Sequence, residues 1–135
     1  LGKAALIREG RALTFIACGE TVSIALAAAA SLETECISCR VLSMHTIKPL
    51  DEESVLKAAL ETGAIVTVEE HSVHGGLGEA CAAVLMQTGA RLPFKIVGFP
   101  DEYLVSGSQM EIFKHYGISS DGLAETARQL LIPHT

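Results

Sequence analysis

The sequence contains no tryptophan and few other aromatic residues: four Phe and two Tyr among 135 residues. It also lacks an excess of positive charge, since 10 Lys and Arg residues stand against 16 Asp and Glu residues, for a formal net charge of −6. Nucleic acids and anionic membranes both attract clusters of Lys and Arg. The composition therefore predicts no nucleic-acid partner and no membrane partner.

Long hydrophobic runs are absent as well. The longest apolar stretch, near residues 24–30, is too short and too rich in alanine to cross about 30 Å of hydrocarbon. At 49% hydrophobic and 19% charged residues, the chain is predicted to be a folded protein with a single domain over residues 1–135. It begins at Leu1 rather than Met, which predicts a fragment or a processed chain, so a missing signal peptide says little about its compartment.

Short apolar runs alternate with longer stretches of helical spacing. The runs cover residues 4–7, 13–18, 37–42, 64–68 and 94–99. Several are apolar at nearly every position, which is typical of strands covered on both faces. The break at residues 9–11 is short enough for a hairpin, which predicts an antiparallel strand at the N-terminal edge. We therefore predict an α/β fold: a three-layer α/β/α sandwich with about five strands, mostly parallel.

Helix signals separate these runs. Five helices are predicted: residues 20–35, the stretch between Asp51 and Gly63, the stretch between Gly76 and Gly89, residues 108–116, and residues 119–132. Asp51 is the predicted N-cap of the second helix, with a buried stripe of Val55, Leu56, Ala59 and Leu60. Ser108 and Glu111 form a capping box for the fourth helix. Ile118 and Leu123 form a hydrophobic staple for the fifth.

The segment with the most potential chemistry runs from residue 69 to residue 79, between a predicted strand and a predicted helix. Its candidate site residues are His71, His74, Gly75, Gly76 and Gly78. Ligands bind at such positions in open α/β sheets, and glycines before a helix let backbone N–H groups face an anion. The spacing matches neither a dinucleotide fingerprint nor a P-loop. An anion site, a tight structural turn and a subunit contact therefore all remain open.

Other chemistry has weaker support. His71 and His74, with Glu69, Glu70 and Glu79 nearby, offer zinc ligands, but their spacing is not that of a zinc-binding helix and a third ligand has no candidate. The two histidines also suit a pH sensor. Glu69 and Glu70 are adjacent on a strand, so their side chains point to opposite faces and cannot act as a catalytic pair. No serine-hydrolase motif is present.

The four cysteines are predicted to be structural. Cys36 and Cys39 have C-x₂-C spacing, but no second pair completes a zinc site, and the pair ends a helix, whereas a redox pair begins one. Cys39 alternates with apolar neighbours, and Cys18 and Cys81 lie in apolar runs. We expect four buried, reduced thiols in a cytoplasmic protein.

Several segments in order resemble the C-terminal domain of transketolases and related thiamine-diphosphate enzymes. They are GKA at 2–4, REGR at 8–11, LTFIACG at 13–19, VLSMHTIKPLD at 41–51, VEEH at 68–71, GGLG at 75–78 and GFPDEY at 98–103. The later pattern Asp101, Tyr103, Ser106 and Gly107, followed by FKHYGI at 113–118, is more similar to transketolase than to deoxyxylulose-phosphate synthases, which tend to have His at the position of Ser106. Split transketolases, in which this domain and the pyrimidine-binding domain form one subunit, resemble it most.

The resemblance implies a C-terminal domain that packs against other domains, contributes to dimerisation and is inactive alone. The holoenzyme would transfer a two-carbon ketol unit between sugar phosphates, with thiamine diphosphate and Mg²⁺ bound between pyrophosphate- and pyrimidine-binding domains. The G-D-G motif of the pyrophosphate-binding domain is absent here, and the Glu that activates the cofactor belongs to the pyrimidine-binding domain. We therefore assign no catalytic, cofactor-binding or metal-binding residue to this chain. The expected partners are those two domains, in a homodimer or heterotetramer.

Three alternatives remain. An autonomous phosphate- or nucleotide-binding regulatory module would use the glycine-rich turn. The chain could also be the C-terminal domain of a deoxyxylulose-phosphate synthase, or that of a 2-oxoacid dehydrogenase β subunit. Dehydrogenase β subunits share the opening segments but usually lack the Ser-Gly helix entry seen at residues 106–107.

Overall fold

A computed structural model describes residues 3–72, 76–99, 111, 114 and 117–132. In these residues the strands are β1 (Ala5–Arg8), β2 (Leu13–Ala17), β3 (Cys39–Ser43), β4 (Ile65–Ser72) and β5 (Phe94–Phe99). The helices are α1 (Thr21–Glu33), α2 (Glu52–Glu61), α3 (Leu77–Thr88) and α4 (Ser120–Leu131). The predicted helix at 108–116 lies outside the described residues except at Glu111 and Lys114.

The five strands form one sheet in the order β1-β3-β2-β4-β5. β1 is antiparallel to β3, and the other neighbours are parallel. The predicted α/β fold with an antiparallel N-terminal edge strand is thus confirmed.

The predicted hairpin between β1 and β2 is wrong, because β3 lies between them. The connecting loop instead crosses the beginning of β3, where the N–H of Ala12 donates to the carbonyl of Ser38 at 2.8 Å. Gly10 lies so close to Cys39 and Arg40 that a Cβ atom there would collide with their backbone. The length of this loop alone therefore does not predict a hairpin.

The two faces of the sheet carry different helices. On one face, α1 and α4 pack over Phe15 and the other buried residues of odd position in β2. Of the four consecutive alanines in α1, Ala28 and Ala29 are buried, whereas Ala27 and Ala30 are exposed.

On the opposite face, α2 and α3 pack over Ile16, Leu42 and Ile65. The predicted stripe of α2 is wrong at one position, since Leu60 is 88% exposed and Ala58 is buried in its place. Val55 is buried as predicted.

Most helix ends follow the sequence signals. Asp51 caps α2 by accepting from the N–H of Ser54 at 3.1 Å, and Ser119 caps α4 by accepting from that of Gly122 at 3.0 Å. Gly89 ends α3 in the left-handed conformation at φ 75°. Ile118 and Leu123 are buried together, which confirms the predicted staple. None of the helices in the described part of the chain is long and apolar enough to span a membrane.

Candidate functional site

The candidate site lies at the edge of the sheet where the parallel strands end. There β2 leads into α1 and β4 leads toward α3, so the N-termini of two helices meet the carboxyl ends of two neighbouring strands. Each helix N-terminus has backbone N–H groups without a partner inside the helix and carries a partial positive charge. Polar side chains near the end of β4 are therefore placed to bind them.

Glu69 binds the beginning of α3. Its side chain is almost wholly buried, with the residue 1% exposed. One carboxylate oxygen, Oε1, accepts from the N–H of Leu77 at 3.0 Å, and the other, Oε2, accepts from that of Gly78 at 2.9 Å. Because the N-cap residue Gly76 has no side chain, α3 takes its cap from the neighbouring strand.

Two glycines make this contact possible. A Cβ atom at Gly76 would collide with the carboxylate of Glu69. A Cβ atom at Gly78 would lie 2.5 Å from Cγ2 of Ile96 and 2.8 Å from Oγ1 of Thr67. Glycine at both positions therefore lets the first turn of α3 approach both the carboxylate and the sheet.

Glu70 faces the other side of the sheet and binds the beginning of α1. Its Oε1 accepts from the N–H of Glu20, the residue before the first turn of α1, at 2.6 Å. Gly19 allows this approach, with φ +62° and a Cβ position 3.0 Å from that oxygen. The prediction that Glu69 and Glu70 point to opposite faces is confirmed, and each carboxylate binds a different helix.

The predicted site residues are only partly described. His71 lies in β4, and its side chain is outside the described residues; His74 and Gly75 are also outside them. Gly76 and Gly78 lie next to the Glu69 carboxylate. A structural turn and a subunit contact both stay open as interpretations, but the N–H groups of Leu77 and Gly78 already have an anionic partner from the chain itself.

Sequence reasoning considered Glu69 and Glu70 as metal ligands or catalytic carboxylates and missed their role as helix caps. A usable signal was present: the helix begins after two glycines and so has no side chain of its own for the N-cap position. Within the ranges that the structure describes, no group of three or more His, Cys, Asp and Glu residues is placed to hold a metal ion.

The expectation of four buried thiols is wrong for Cys36, which is exposed, and Cys18 is only half-buried. Cys36 lies in the turn between α1 and β3 with φ 63°, and this turn directs its side chain away from the core. All four thiols are free. Burial raises the pKa of Cys39 to about 11 and that of Cys81 to about 12, so neither is a reactive thiolate near neutral pH.

A groove of about 420 Å³ lies at the opposite end of the sheet, lined by Glu9, Arg11, Arg40, Leu60 and Glu61. Nη2 of the buried Arg40 lies 2.7 Å from Oε1 of Glu9 and 2.8 Å from Oε1 of Glu61. These ion pairs join β3 to the β1–β2 loop and to the end of α2. Two cations and two anions line the groove, so its charge favours no particular class of ligand.

The comparisons with known proteins agree on one family. A family model described as "Transketolase, C-terminal domain" matches residues 2–123. One of the subunits of the apulose-4-phosphate transketolase of Phocaeicola vulgatus is 47% identical over 131 residues, which cover 97% of this chain and 41% of that protein. The 1-deoxy-D-xylulose-5-phosphate synthase of Heliobacterium modesticaldum is 41% identical over 96% of this chain and 20% of that enzyme.

Solved structures show the same similarity. A structure titled "Split gene transketolase, inactive beta4 tetramer" matches with a TM-score of 0.89 and 35% identity over 96% of this chain and 42% of that one. The transketolase of Campylobacter jejuni matches with a TM-score of 0.67 at 22% identity, covering 95% of this chain and 18% of that one, which supports the fold alone. The chain thus spans about two fifths of the split-transketolase relatives and about one fifth of the longer enzymes.

Proposed function

The chain belongs to the family of transketolase C-terminal domains, and we propose that it serves as the packing and assembly domain of a transketolase. The observation that supports this most is the similarity over nearly its whole length to split-transketolase proteins that are more than twice as long. Such relatives hold this domain beside further domains. The buried cores on both faces of its sheet give it the rigidity that a packing domain needs.

The activity of the assembled protein follows from the family as a proposal. We infer that the holoenzyme transfers a two-carbon ketol unit between a ketose phosphate and an aldose phosphate. Transketolases in general use thiamine diphosphate and a divalent metal, and carbanion stabilisation is the chemistry that thiamine diphosphate would supply. The described residues do not fit that cofactor: no metal-binding group is found among them, and the N–H groups at the start of α3 already bind Glu69. We place the cofactor in the other domains and derive no step through it.

The glycine-rich turn between β4 and α3 is proposed as an interface. It includes the predicted residues His71, His74, Gly75, Gly76 and Gly78. Glu69 fixes the beginning of α3 through two hydrogen bonds, which supports a defined helix end that a neighbouring domain can contact. The proposed neighbours are the pyrimidine- and pyrophosphate-binding domains, in a homodimer or a heterotetramer. No nucleic-acid or membrane partner is proposed, and the proposed location is the cytoplasm.

The experiment compares three samples, of which the first is a protein that contains residues 1–135 together with the pyrophosphate- and pyrimidine-binding domains. With xylulose 5-phosphate as donor and ribose 5-phosphate as acceptor, we expect ketol transfer that requires thiamine diphosphate and Mg²⁺. The same protein without residues 1–135 should lose assembly, as measured by sedimentation, and transfer together. The isolated chain should show no transfer.

A second candidate comes from the similarity to a 1-deoxy-D-xylulose-5-phosphate synthase at 41% identity. The same assembled protein is therefore also assayed with pyruvate and glyceraldehyde 3-phosphate. Condensation of these two substrates without ketol transfer would replace the transketolase proposal with the synthase. Full transfer by a protein that lacks residues 1–135 would contradict the assembly role.

A further inference from the structure

We propose that Glu69 is a built-in anionic ligand of α3: its carboxylate occupies a small anion site at the helix N-terminus and thereby positions the first turn of the helix. The contacts of Glu69 lie within this domain, so their effect does not depend on the enzyme in which the domain works.

The carboxylate of Glu69 has the geometry of an anion bound at a helix N-terminus. Its two oxygens each accept one backbone N–H, from Leu77 at 3.0 Å and from Gly78 at 2.9 Å. This is how a bound carboxylate or phosphate is held at the N-terminus of a helix, where the free N–H groups and the helix dipole both favour a negative charge. Here the anion is part of the chain.

The residues around the carboxylate enclose it closely. A Cβ atom at Gly76 would overlap the carboxylate, and a Cβ atom at Gly78 would collide with Ile96 and Thr67. The hydroxyl of Thr67 is fully buried next to Gly78 and has no hydrogen-bond partner among the described residues. Removing the carboxylate would leave the N–H groups of Leu77 and Gly78 buried without their acceptor.

The space left by the carboxylate would have the polarity of a site for a small carboxylate. Buried N–H groups without partners are costly, so an anion that restores their hydrogen bonds would stabilise the folded state. In the native chain the site is full, so a phosphate group cannot use these two N–H groups.

Glu69 also joins the end of β4 to the beginning of α3. It lies eight residues before Leu77 and nine before Gly78, so its hydrogen bonds link two elements that are close in sequence. Loss of the carboxylate should therefore loosen the beginning of α3 while the strands and the two cores remain. Glu69 is in this sense a positioning residue.

The test is chemical rescue of the variant Glu69→Ala, using sodium formate as the probe against sodium chloride at the same ionic strength. We expect the variant to unfold at a lower temperature than the wild type. Formate should raise its unfolding temperature in proportion to the logarithm of concentration above the dissociation constant, because a ligand that binds only the folded state stabilises it in this way. Formate and chloride should act alike on the wild type.

The matched control is Glu70→Ala, which removes the neighbouring carboxylate. Among the described residues, Glu70 accepts one N–H, that of Glu20 at an exposed position, so its loss should create no enclosed anion site and formate should give no specific rescue. Glu69→Gln is the conservative variant: it keeps the size and one acceptor oxygen, so its unfolding temperature should lie between those of the wild type and Glu69→Ala.

If Glu69→Ala does not fold, the readout moves to Glu69→Gln. Amide hydrogen exchange at Leu77 and Gly78 should then be faster than in the wild type, whereas exchange in β2 should be unchanged. The proposal is overturned if Glu69→Ala is as stable as the wild type, if formate acts equally on the wild type and both alanine variants, or if exchange at these two N–H groups is unaltered. Because no assembly or activity is measured, failure here leaves the transketolase assays to be judged separately.

Discussion

Glu69 and Glu70 are neighbours in the chain, yet their carboxylates bind the backbone of two different helices. The alternation of side chains along a strand predicts their opposite directions from the sequence alone. It does not predict their partners, because those depend on which helix N-termini the sheet order brings to each face. One residue did carry a usable signal: Gly76, at the N-cap of α3, has no side chain, so the cap had to come from another residue.

Substitution of a single residue, Gly78, gives a testable prediction about stability. Alanine favours a helix over glycine by about 1 kcal/mol, but overpacking a close contact costs about 1–3 kcal/mol. A Cβ atom at Gly78 would lie only 2.5 Å and 2.7 Å from the two γ carbons of Ile96, so we expect the steric cost to prevail. Urea denaturation of Gly78→Ala should show a lower free energy of unfolding.

A double-mutant cycle with Ile96→Ala identifies the cause of this loss. Removing both γ carbons of Ile96 should make Gly78→Ala less harmful, which gives a coupling energy between the two sites. Gly89→Ala is the matched comparison: it is also destabilising, because φ is +75°, but no atom lies within 4 Å of its Cβ position. Its effect should add to that of Ile96→Ala without coupling. Equal coupling for both glycines would contradict the steric explanation.

For whole elements, the sequence predicted which segments are strands and which are helices, but it did not predict that β3 lies between β1 and β2. The apolar runs and caps indicated β1, the start of α2 and the end of α3 at nearly their observed positions. The hairpin was predicted from loop length alone, and loop length does not distinguish a reversal from a crossing over the end of β3. Leu60 was similarly misjudged, because helical spacing does not decide which position in the last turn of α2 faces the sheet: Ala58 is buried, and Leu60 is exposed beside the groove.

Asp51 joins two of these elements and gives a prediction for pH. Its Oδ1 caps α2, while its Oδ2 accepts from the N–H of Ala4 at 2.7 Å and from the hydroxyl of Ser54 at 2.6 Å. Burial raises the pKa of Asp51, but these hydrogen bonds outweigh it, so the pKa lies below its usual range. The resulting stability is present above the unfolded pKa of about 3.9 and is lost as pH falls through the folded value.

The variant Asp51→Asn keeps one oxygen for the helix cap but loses the charge and one acceptor oxygen. We expect a lower free energy of unfolding than the wild type at pH 7, and we expect the two to converge as pH falls below about 4. Urea denaturation from pH 7 to pH 3 measures this. Asp121→Asn, in the first turn of α4, serves as the control. A difference for Asp51→Asn that stays constant over this range would show that its charge is not the cause.

The whole molecule was predictable as a fold because alternating patterns, covered strands and an edge strand agree on one architecture. Its assembly depends on which surface residues contact other domains, and the pattern of apolar residues does not predict those contacts. The resemblance to transketolases was needed to connect the domain to a reaction. The hydrogen bonds at the carboxyl ends of the strands explain why we do not expect this domain to perform that reaction alone. The N–H groups best placed for a phosphate are already bound by Glu69.

This leads to a prediction for the isolated chain in a thermal-shift panel of thiamine diphosphate with Mg²⁺, xylulose 5-phosphate, ribose 5-phosphate, nucleotides and zinc. A ligand at about 100 times its dissociation constant would add about 2.7 kcal/mol of stability, which is easily seen as a shift. We expect no shift with any of these compounds, because the described residues hold no metal-binding group and the start of α3 is filled. A shift with a phosphate or nucleotide that Gly76→Ala abolishes would instead show a ligand-binding module. A shift that survives this change would place a ligand site elsewhere on the domain, and either result would contradict a role limited to packing.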